Sequence, residues 1–121
     1  MRSKYGSYPE YHTSLDNLNV VTPLGLQGGF DVIRDILELL EQNKIYQTRC
    51  YAEPQLGRHG LYPTLGTKDS SQYVSDMMNF IVYADGTNDL IDISNIIHAP
   101  AQRLYNIIID LLAADLLMGK G

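Results

Sequence analysis

Residues 85–104 read DGTNDLIDISNIIHAPAQRL, and this stretch decides the fold. Residues 85–88 are turn formers. Asp89 follows them as a favourable N-cap for a short helix, and Asp92, three residues on, gives an imperfect capping box. Pro100 then breaks the chain and suits the first turn of another helix. The stretch therefore predicts two helices that meet at a tight junction, as in a helix-turn-helix.

The residues on either side extend this pattern to three helices and a wing. A first helix begins at the cap Asp69 or Ser70 and runs to about Ala84, and the last helix spans 100–115. Apolar residues at helical spacing predict the core positions Tyr73, Met77, Phe80, Ile81, Ile93, Ile96, Ile97, Leu104, Ile107, Ile108, Leu111 and Leu112. Residues 116–118 open a wing strand and 119–121 fall where the wing turns, without a returning strand. The fold class is thus mainly α (α+β): a winged helix-turn-helix with a truncated wing.

The preceding residues contain one more amphipathic element. Residues 1–29 lack helical periodicity and predict extended chain and loop, with glycines before the next element. Residues 30–43 predict a helix whose apolar stripe is Phe30, Ile33, Ile36, Leu37 and Leu40. Residues 45–50 alternate weakly, as a strand does, and 51–67 form an arm rich in proline and glycine. The predicted division is 1–44, the end of a larger core; 45–68, a connecting arm; and 69–121, the winged helix.

Composition limits the classes of function. The chain has 121 residues, 45% of them hydrophobic, which suffices for a packed core. Its single cysteine, Cys50, excludes an internal disulfide and suits a cytoplasmic location. No apolar run approaches the ~20 residues of a membrane span. Residues 69–121 carry seven Asp against Arg103 and Lys120, which disfavours a nucleic-acid partner.

Two segments carry candidate chemistry. Residues 8–17 read YPEYHTSLDN, where His12 can offer a ring nitrogen to a metal and Asp16 can orient a ring or cap a helix. A surface turn with a hydrogen-bonded histidine is the alternative. Arg58 and His59, between Gly57 and Gly60, can contact an anion or a substrate. A structural arm is the favoured alternative there, because no phosphate-loop pattern is present.

Both segments resemble known proteins. The run Tyr11-His-Thr-Ser-Leu-Asp16 resembles the last metal-ligand segment of co-catalytic zinc aminopeptidases. Residues 53–63, EPQLGRHGLYP, resemble an aminopeptidase-like branch associated with polysaccharide biosynthesis, whose peptidase-like core is followed by a winged helix. The resemblance implies peptide-bond hydrolysis with His12 as a zinc ligand and Asp16 as its orienting neighbour. It also implies that the other ligands and the catalytic glutamate precede Met1, so that this chain alone is inactive and lacks zinc.

Two other classes of function remain open. A DNA-binding regulator would present Gln102, Arg103 and Asn106 on its recognition helix, although Asp110 and Asp115 lie on the same helix. A non-catalytic interaction or oligomerisation module agrees better with the charge. The stripe on residues 30–40 predicts either a homo-oligomer or docking on the winged-helix domain, unless the upstream core covers it.

Overall fold

The computed structural model describes residues 3–62 and 68–120, except the side chains of Lys68 and Asp69. The chain divides into two compact units, Met1–Leu40 and Glu41–Gly121. Some predicted features lie outside the described residues: the end of the arm at 63–67, the capping side chain of Asp69, and Gly121 in the wing turn.

The first unit consists of an irregular segment, residues 3–22, followed by the start of helix α1, Pro23–Gln42. The helix was predicted to begin at Phe30, and that prediction is wrong by seven residues. Thr22 caps it: its Oγ1 accepts from the Gly25 amide at 3.1 Å, and its carbonyl accepts from the Leu26 amide. Pro23 occupies the first helical position, where a missing N–H costs nothing. This cap outweighs the low helix propensity of the three glycines that follow.

Helix α1 has an apolar and a charged face. None of its residues is buried, and Leu37, in the middle of the apolar stripe, is 57% exposed. On the other face the Arg34 guanidinium lies 3.3 Å from Asp31, 3.0 Å from Asp35 and 3.8 Å from Glu38. The carboxylates around Arg34 thus form a local, solvated ion-pair cluster.

The second unit alternates strands and helices. Its elements are β1 (Ile45–Thr48), a 3-10 turn (Leu56–His59), α2 (Lys68–Tyr83), β2 (Asp85–Asp89), α3 (Leu90–Ile97), α4 (Ala101–Ala113) and β3 (Leu117–Lys120). The prediction of a mainly helical fold with a small sheet is confirmed. Segment 45–68, expected to be a connecting arm, contributes β1 and the fully buried Leu56 to this unit.

The three strands form one antiparallel sheet in the order β2-β1-β3. Strand β1 therefore lies in the middle, with Ile45 opposite both Asp89 and Lys120. The partner of β3 comes from before the helices, so the sheet needs no strand returning after β3. Residues 85–88 were predicted as a turn and instead belong to β2. These residues nonetheless keep features of a turn. Gly86 has a φ of 90° at an irregularity of the β1–β2 pairing, and the Asp85 carboxylate accepts from the Thr87 backbone amide.

The core lies between the three helices and the sheet. Tyr46 of β1 packs edge-on against Phe80 of α2, with ring centroids 5.8 Å apart. The other fully buried large side chains are Leu56, Met77, Leu90, Ile93, Leu104, Ile107 and Leu111. Two predicted core positions are wrong, because Ile96 and Leu112 are both more than 40% exposed. Each lies at the margin of its helix's apolar stripe.

Local hydrogen bonds fix where α3 begins and ends. The predicted capping box is confirmed, with Asp89 Oδ1 accepting from the Asp92 amide at 2.8 Å. Asn43 adds a contact that the sequence did not indicate: its amide nitrogen donates to Asp89 and its amide oxygen accepts from the Ile91 amide. His98 ends the helix in the left-handed conformation at φ 54°, with its backbone amide donating to Asn95. Among the described residues no helix combines the length and apolarity that crossing a bilayer requires.

Candidate metal-ligand segment

The segment that holds His12 is a series of tight turns. The Thr13 amide and hydroxyl both donate to the Glu10 carbonyl, at 3.0 and 2.7 Å. The same hydroxyl oxygen accepts from the Leu15 amide, and the Thr13 carbonyl accepts from the Asp16 amide. Threonine at this position therefore supports the turn on both sides. His12 lies between these bonds and has a left-handed backbone, φ 60°.

Tyrosine rings support the imidazole. The Tyr11 ring lies 4.2 Å from the His12 ring in an edge-on arrangement. Tyr5 and Tyr8 each lie 5.7 Å from Tyr11. Within the described part of the chain His12 makes no hydrogen bond or ion pair, and its side chain is exposed. Its nitrogens are thus available to an external ligand.

Asp16 contacts this cluster through a tyrosine and not through the histidine. Its Oδ2 accepts from the Tyr8 hydroxyl at 3.4 Å. Desolvation raises the pKa of Tyr8, and the negative charge of Asp16 and this hydrogen bond act in the same direction. The predicted orienting role of Asp16 would therefore act on His12 indirectly, through the rings of Tyr8 and Tyr11. The tyrosine-rich composition of residues 5–11 was the sequence signal for this cluster.

A hollow of about 500 Å³ adjoins the cluster within the first unit. Tyr5 and Tyr8 form one side of it, and the first half of α1 forms another. The remaining lining residues are Ser3, Val20, Val21, Thr22, Gly25, Leu26, Gly29, Phe30 and Ile33. The lining of the hollow is therefore mostly apolar, apart from the hydroxyl-bearing side chains of Ser3, Tyr5, Tyr8 and Thr22. Sequence analysis did not anticipate it, because residues 20–29 were predicted as loop.

Arg58 and His59 lie on the 3-10 turn of the second unit. Both side chains are exposed, and neither has an ion-pair partner among the described residues. Gly60 follows at φ 69°, and the Tyr62 ring packs against Gly57, where an added Cβ would lie 3.3 Å from the ring. The guanidinium of Arg58 and the imidazole of His59 are adjacent in sequence and open to solvent.

The second unit contains a further polar pair that the sequence did not single out. The Tyr73 hydroxyl of α2 donates to the Asp110 carboxylate of α4. Burial, followed by this hydrogen bond and the Asp110 charge, raises the pKa of Tyr73. The pair borders a hollow of about 440 Å³ whose other lining residues are Gly60, Leu61, Tyr62 and Ser70.

No three histidine, cysteine or acidic side chains come together as a metal site in residues 3–62 and 68–120. His12 is therefore at most one ligand of a site that other residues complete, since a catalytic zinc site needs about three protein ligands.

Comparisons with known proteins define the class of protein to which the chain belongs. Residues 43–119 match the winged helix-turn-helix family, and the chain belongs to that family. Residues 1–43 match a family described as a domain of unknown function (DUF4910).

A named protein and a solved structure, both from Clostridium acetobutylicum, are similar to the chain. One is named for polysaccharide biosynthesis and for an aminopeptidase-like domain; it is 34% identical in a 98-residue alignment that covers 78% of this chain and 22% of that protein. The other is a crystal structure named as a peptidase, with 29% identity and a TM-score of 0.81 over 99% of this chain and 26% of that one. The resemblance to aminopeptidase-like proteins is thereby confirmed. The chain spans about a quarter of the length of these relatives.

Proposed function

We propose that this chain is the part of a zinc-dependent aminopeptidase-like protein that supplies one metal ligand, His12, and a winged-helix interaction module. The observation that carries the proposal is the presentation of His12. A non-glycine residue at φ 60° is uncommon, and such residues concentrate at functional sites. Here the unusual backbone exposes an imidazole whose only ring contact within the described residues is Tyr11.

The donor set fits the metal only in part. His12 offers an exposed imidazole, but no group of three histidine, cysteine or acidic side chains forms around it among the described residues. A complete site would take its other ligands from a longer polypeptide, which agrees with the share of its relatives that the chain spans. Zinc, when bound, would lower the pKa of a coordinated water to ~7 and supply hydroxide for attack on a peptide bond. The proposed substrates are accordingly peptide-like molecules with a free amino end.

Within this proposal Asp16 is a positioning residue. Its carboxylate accepts a hydrogen bond from the Tyr8 hydroxyl, and the rings of Tyr8 and His12 both lie against the Tyr11 ring. Loss of Asp16 should therefore loosen the ring cluster rather than remove a ligand. Arg58 and His59 remain proposed contacts to an anion or a substrate, supported by their exposure and by the absence of a described ion-pair partner.

We infer that the winged-helix unit binds protein rather than DNA. Arg103 is the only basic residue of α4, and its Nε lies 2.8 Å from the Asp76 carboxylate. Its charge is thus neutralised within the unit. Readers of DNA instead present a basic stripe to the phosphates.

The test uses the protein extended upstream along its own reading frame to the length of its relatives. Zinc content and hydrolysis of aminoacyl substrates are measured for this protein and its His12→Ala variant. We expect the variant to lose zinc and activity together. His98→Asn is the matched control, because His98 is also exposed and left-handed and Asn tolerates that backbone.

Two results would contradict the proposal. Unchanged zinc content in His12→Ala would remove His12 from the site. Stoichiometric zinc binding by the 121-residue chain alone would show that the site is built elsewhere, since we expect one imidazole to bind zinc weakly.

A further inference from the structure

A hollow of the second unit lies between α2, α4 and the chain that follows the 3-10 turn. Its volume is about 440 Å³, which is within the range of small-molecule sites. The described lining residues are Gly60, Leu61, Tyr62, Ser70, Tyr73 and Asp110, and Asp110 carries the only charged side chain among them. The chemistry of this carboxylate therefore determines what the hollow can hold.

Asp110 is half-buried and has no cationic partner in the described part of the chain. The ion pairs found there are made by Arg34, Arg49 and Arg103, and all of them use other carboxylates. A carboxylate that is partly removed from water is stabilised by a nearby positive charge. Asp110 therefore favours a positively charged ligand in the hollow.

The Tyr73 hydroxyl determines which kind of cation fits. It donates to Oδ2 of Asp110, and Oδ1 accepts no hydrogen bond from the described residues. A guanidinium pairs best with both oxygens of a carboxylate at once, whereas an ammonium is a compact charge that one oxygen can bind. Burial raises the pKa of Tyr73, so the hydroxyl keeps the proton that occupies Oδ2. Asp110 is therefore better suited to an ammonium group than to a guanidinium.

Two tyrosine rings add a surface that suits the same group. Tyr62 and Tyr73 both line the hollow, and aromatic ring faces attract ammonium groups within about 6 Å. The Tyr62 ring packs closely on Gly57, where an added Cβ would lie 3.3 Å from it. The Leu61 amide donates to the carbonyl of the fully buried Leu56, which fixes this part of the chain to the core. The rings and the carboxylate are thus held by elements that pack on one core.

We propose that this hollow is a binding site for a primary ammonium group on a short aliphatic chain, with Asp110 as its counter-ion and the rings of Tyr62 and Tyr73 beside the charge. A free alkylamine and the side chain of a lysine in a peptide carry this same group. The site belongs to the winged-helix unit, and the inference does not rest on the zinc chemistry proposed for His12.

A titration of the 121-residue chain with butylammonium chloride at neutral pH, followed by the chemical shifts of the backbone amides, tests the site. We expect saturable shifts at the residues that line the hollow. Asp110→Asn should weaken binding by about tenfold or more. Asp115→Asn is the matched control, because it removes the same charge just after the end of α4, where Asp115 pairs with Arg49. It should leave the affinity within about twofold of the unsubstituted chain.

Two tyrosine variants separate the parts of the proposal. Tyr62→Ala changes an exposed ring and should weaken butylammonium binding about two- to fivefold without disturbing the core. In the unsubstituted chain butylammonium should bind more tightly than methylguanidinium. Tyr73→Phe frees Oδ2 of Asp110, so methylguanidinium should gain affinity relative to butylammonium in that variant. The dispersion of the amide spectrum shows whether each variant is folded.

Several results would overturn the proposal. Shifts that rise without saturation, equal losses in Asp110→Asn and Asp115→Asn, or tighter binding of methylguanidinium by the unsubstituted chain would each exclude an ammonium site. Unchanged affinity in Tyr62→Ala would exclude it independently of any variant that fails to fold.

A second titration, with Nα-acetyl-lysine-N-methylamide, distinguishes the two sources of the ammonium group. Binding that is much tighter than that of butylammonium would assign the hollow to a lysine side chain of a peptide. Equal or weaker binding would assign it to a free alkylamine.

Discussion

The Nε of Arg103 lies 2.8 Å from Oδ2 of Asp76, and this contact joins α4 to the only charged side chain that is buried in the described core. The contact has the distance of an ion pair but not the angle of a hydrogen bond. The other carboxylate oxygen of Asp76 accepts from the side-chain amide of Gln72 at 2.8 Å. Asp76 is 4% exposed at its side chain, whereas Arg103 is 46% exposed. The arginine therefore neutralises a buried charge from the edge of the core.

Replacing Arg103 with methionine should lower the free energy of unfolding by about 1–3 kcal/mol, less than for a fully buried pair, because the partly exposed arginine is screened by solvent. Urea denaturation measures the change. Arg49→Met is the control, since Arg49 forms an exposed pair with Asp115 and its loss should cost under about 1 kcal/mol. Equal effects of the two substitutions would contradict a special role for the buried carboxylate.

His98→Gly should stabilise the protein by about 0.5–1 kcal/mol, because glycine adopts the left-handed conformation at the end of α3 without a steric penalty. Thermal unfolding would show a raised Tm. Asn95→Gly, in the body of the same helix, should instead lower the Tm, because glycine disfavours the helix interior. A destabilised His98→Gly protein would mean that the imidazole itself stabilises the junction.

Gly86→Ala should destabilise the second unit by about 1–2 kcal/mol. The backbone φ at Gly86 is 90°, and an added Cβ would lie 2.8 Å from Lys120 Nζ and 3.1 Å from Gln47 Cδ. Gly119→Ala is a matched strand control, because its Cβ would meet only Tyr46 at 3.9 Å. Comparable losses at both positions would rule out the left-handed conformation as the cause.

Stability should fall as the pH rises above ~10, the ordinary pKa of tyrosine. The pKa of Tyr73 is raised in the folded state by burial, by its hydrogen bond to Asp110 and by the Asp110 charge. The unfolded chain therefore loses this proton first, and alkaline conditions favour unfolding. Urea denaturation between pH 7 and 11 measures the free energy of unfolding. This free energy should decline less with pH in Tyr73→Phe than in the unsubstituted protein, and Asp110→Asn should reduce the decline in part. Burial also raises the pKa of Tyr46, so some decline should remain.

The 121-residue chain should not bind random duplex DNA at about 0.15 M salt, because the one basic side chain of α4 is paired with Asp76. A gel-shift or fluorescence-anisotropy titration measures this. Tight binding that weakens steeply with added salt would favour a regulator of transcription over an interaction module.

Sequence patterns predicted the helical core well where periodicity and caps agreed. The capping box of Asp89 and Asp92 is local chemistry, and it is confirmed. The start of α1 was predicted seven residues too late. Three glycines disfavour a helix over residues 25–29, but the Thr22–Pro23 cap before them starts it. The strand at 85–89 was missed because its partner, β1, lies 40 residues earlier and turn-forming residues can also make an irregular strand.

The candidate site was only partly accessible to sequence reasoning. His12 was selected by resemblance, and its zinc role stays a prediction. Its left-handed backbone and its contact with Tyr11 could not be read from the residue order. The contact of Asp16 with Tyr8 spans eight residues of irregular chain, where no periodicity indicates which side chains meet.

The central position of β1 determines when the second unit can be completed during synthesis. Ile45–Thr48 leaves the ribosome before any strand with which it pairs, and its two edges are covered by β2 and then by β3. Until Lys120 has been made, one edge of β1 still offers unpaired amides and carbonyls to other chains. A nascent chain that pauses before this point would therefore be prone to aggregation. A protein that lacked β1 would leave β2 and β3 without the strand with which both of them pair.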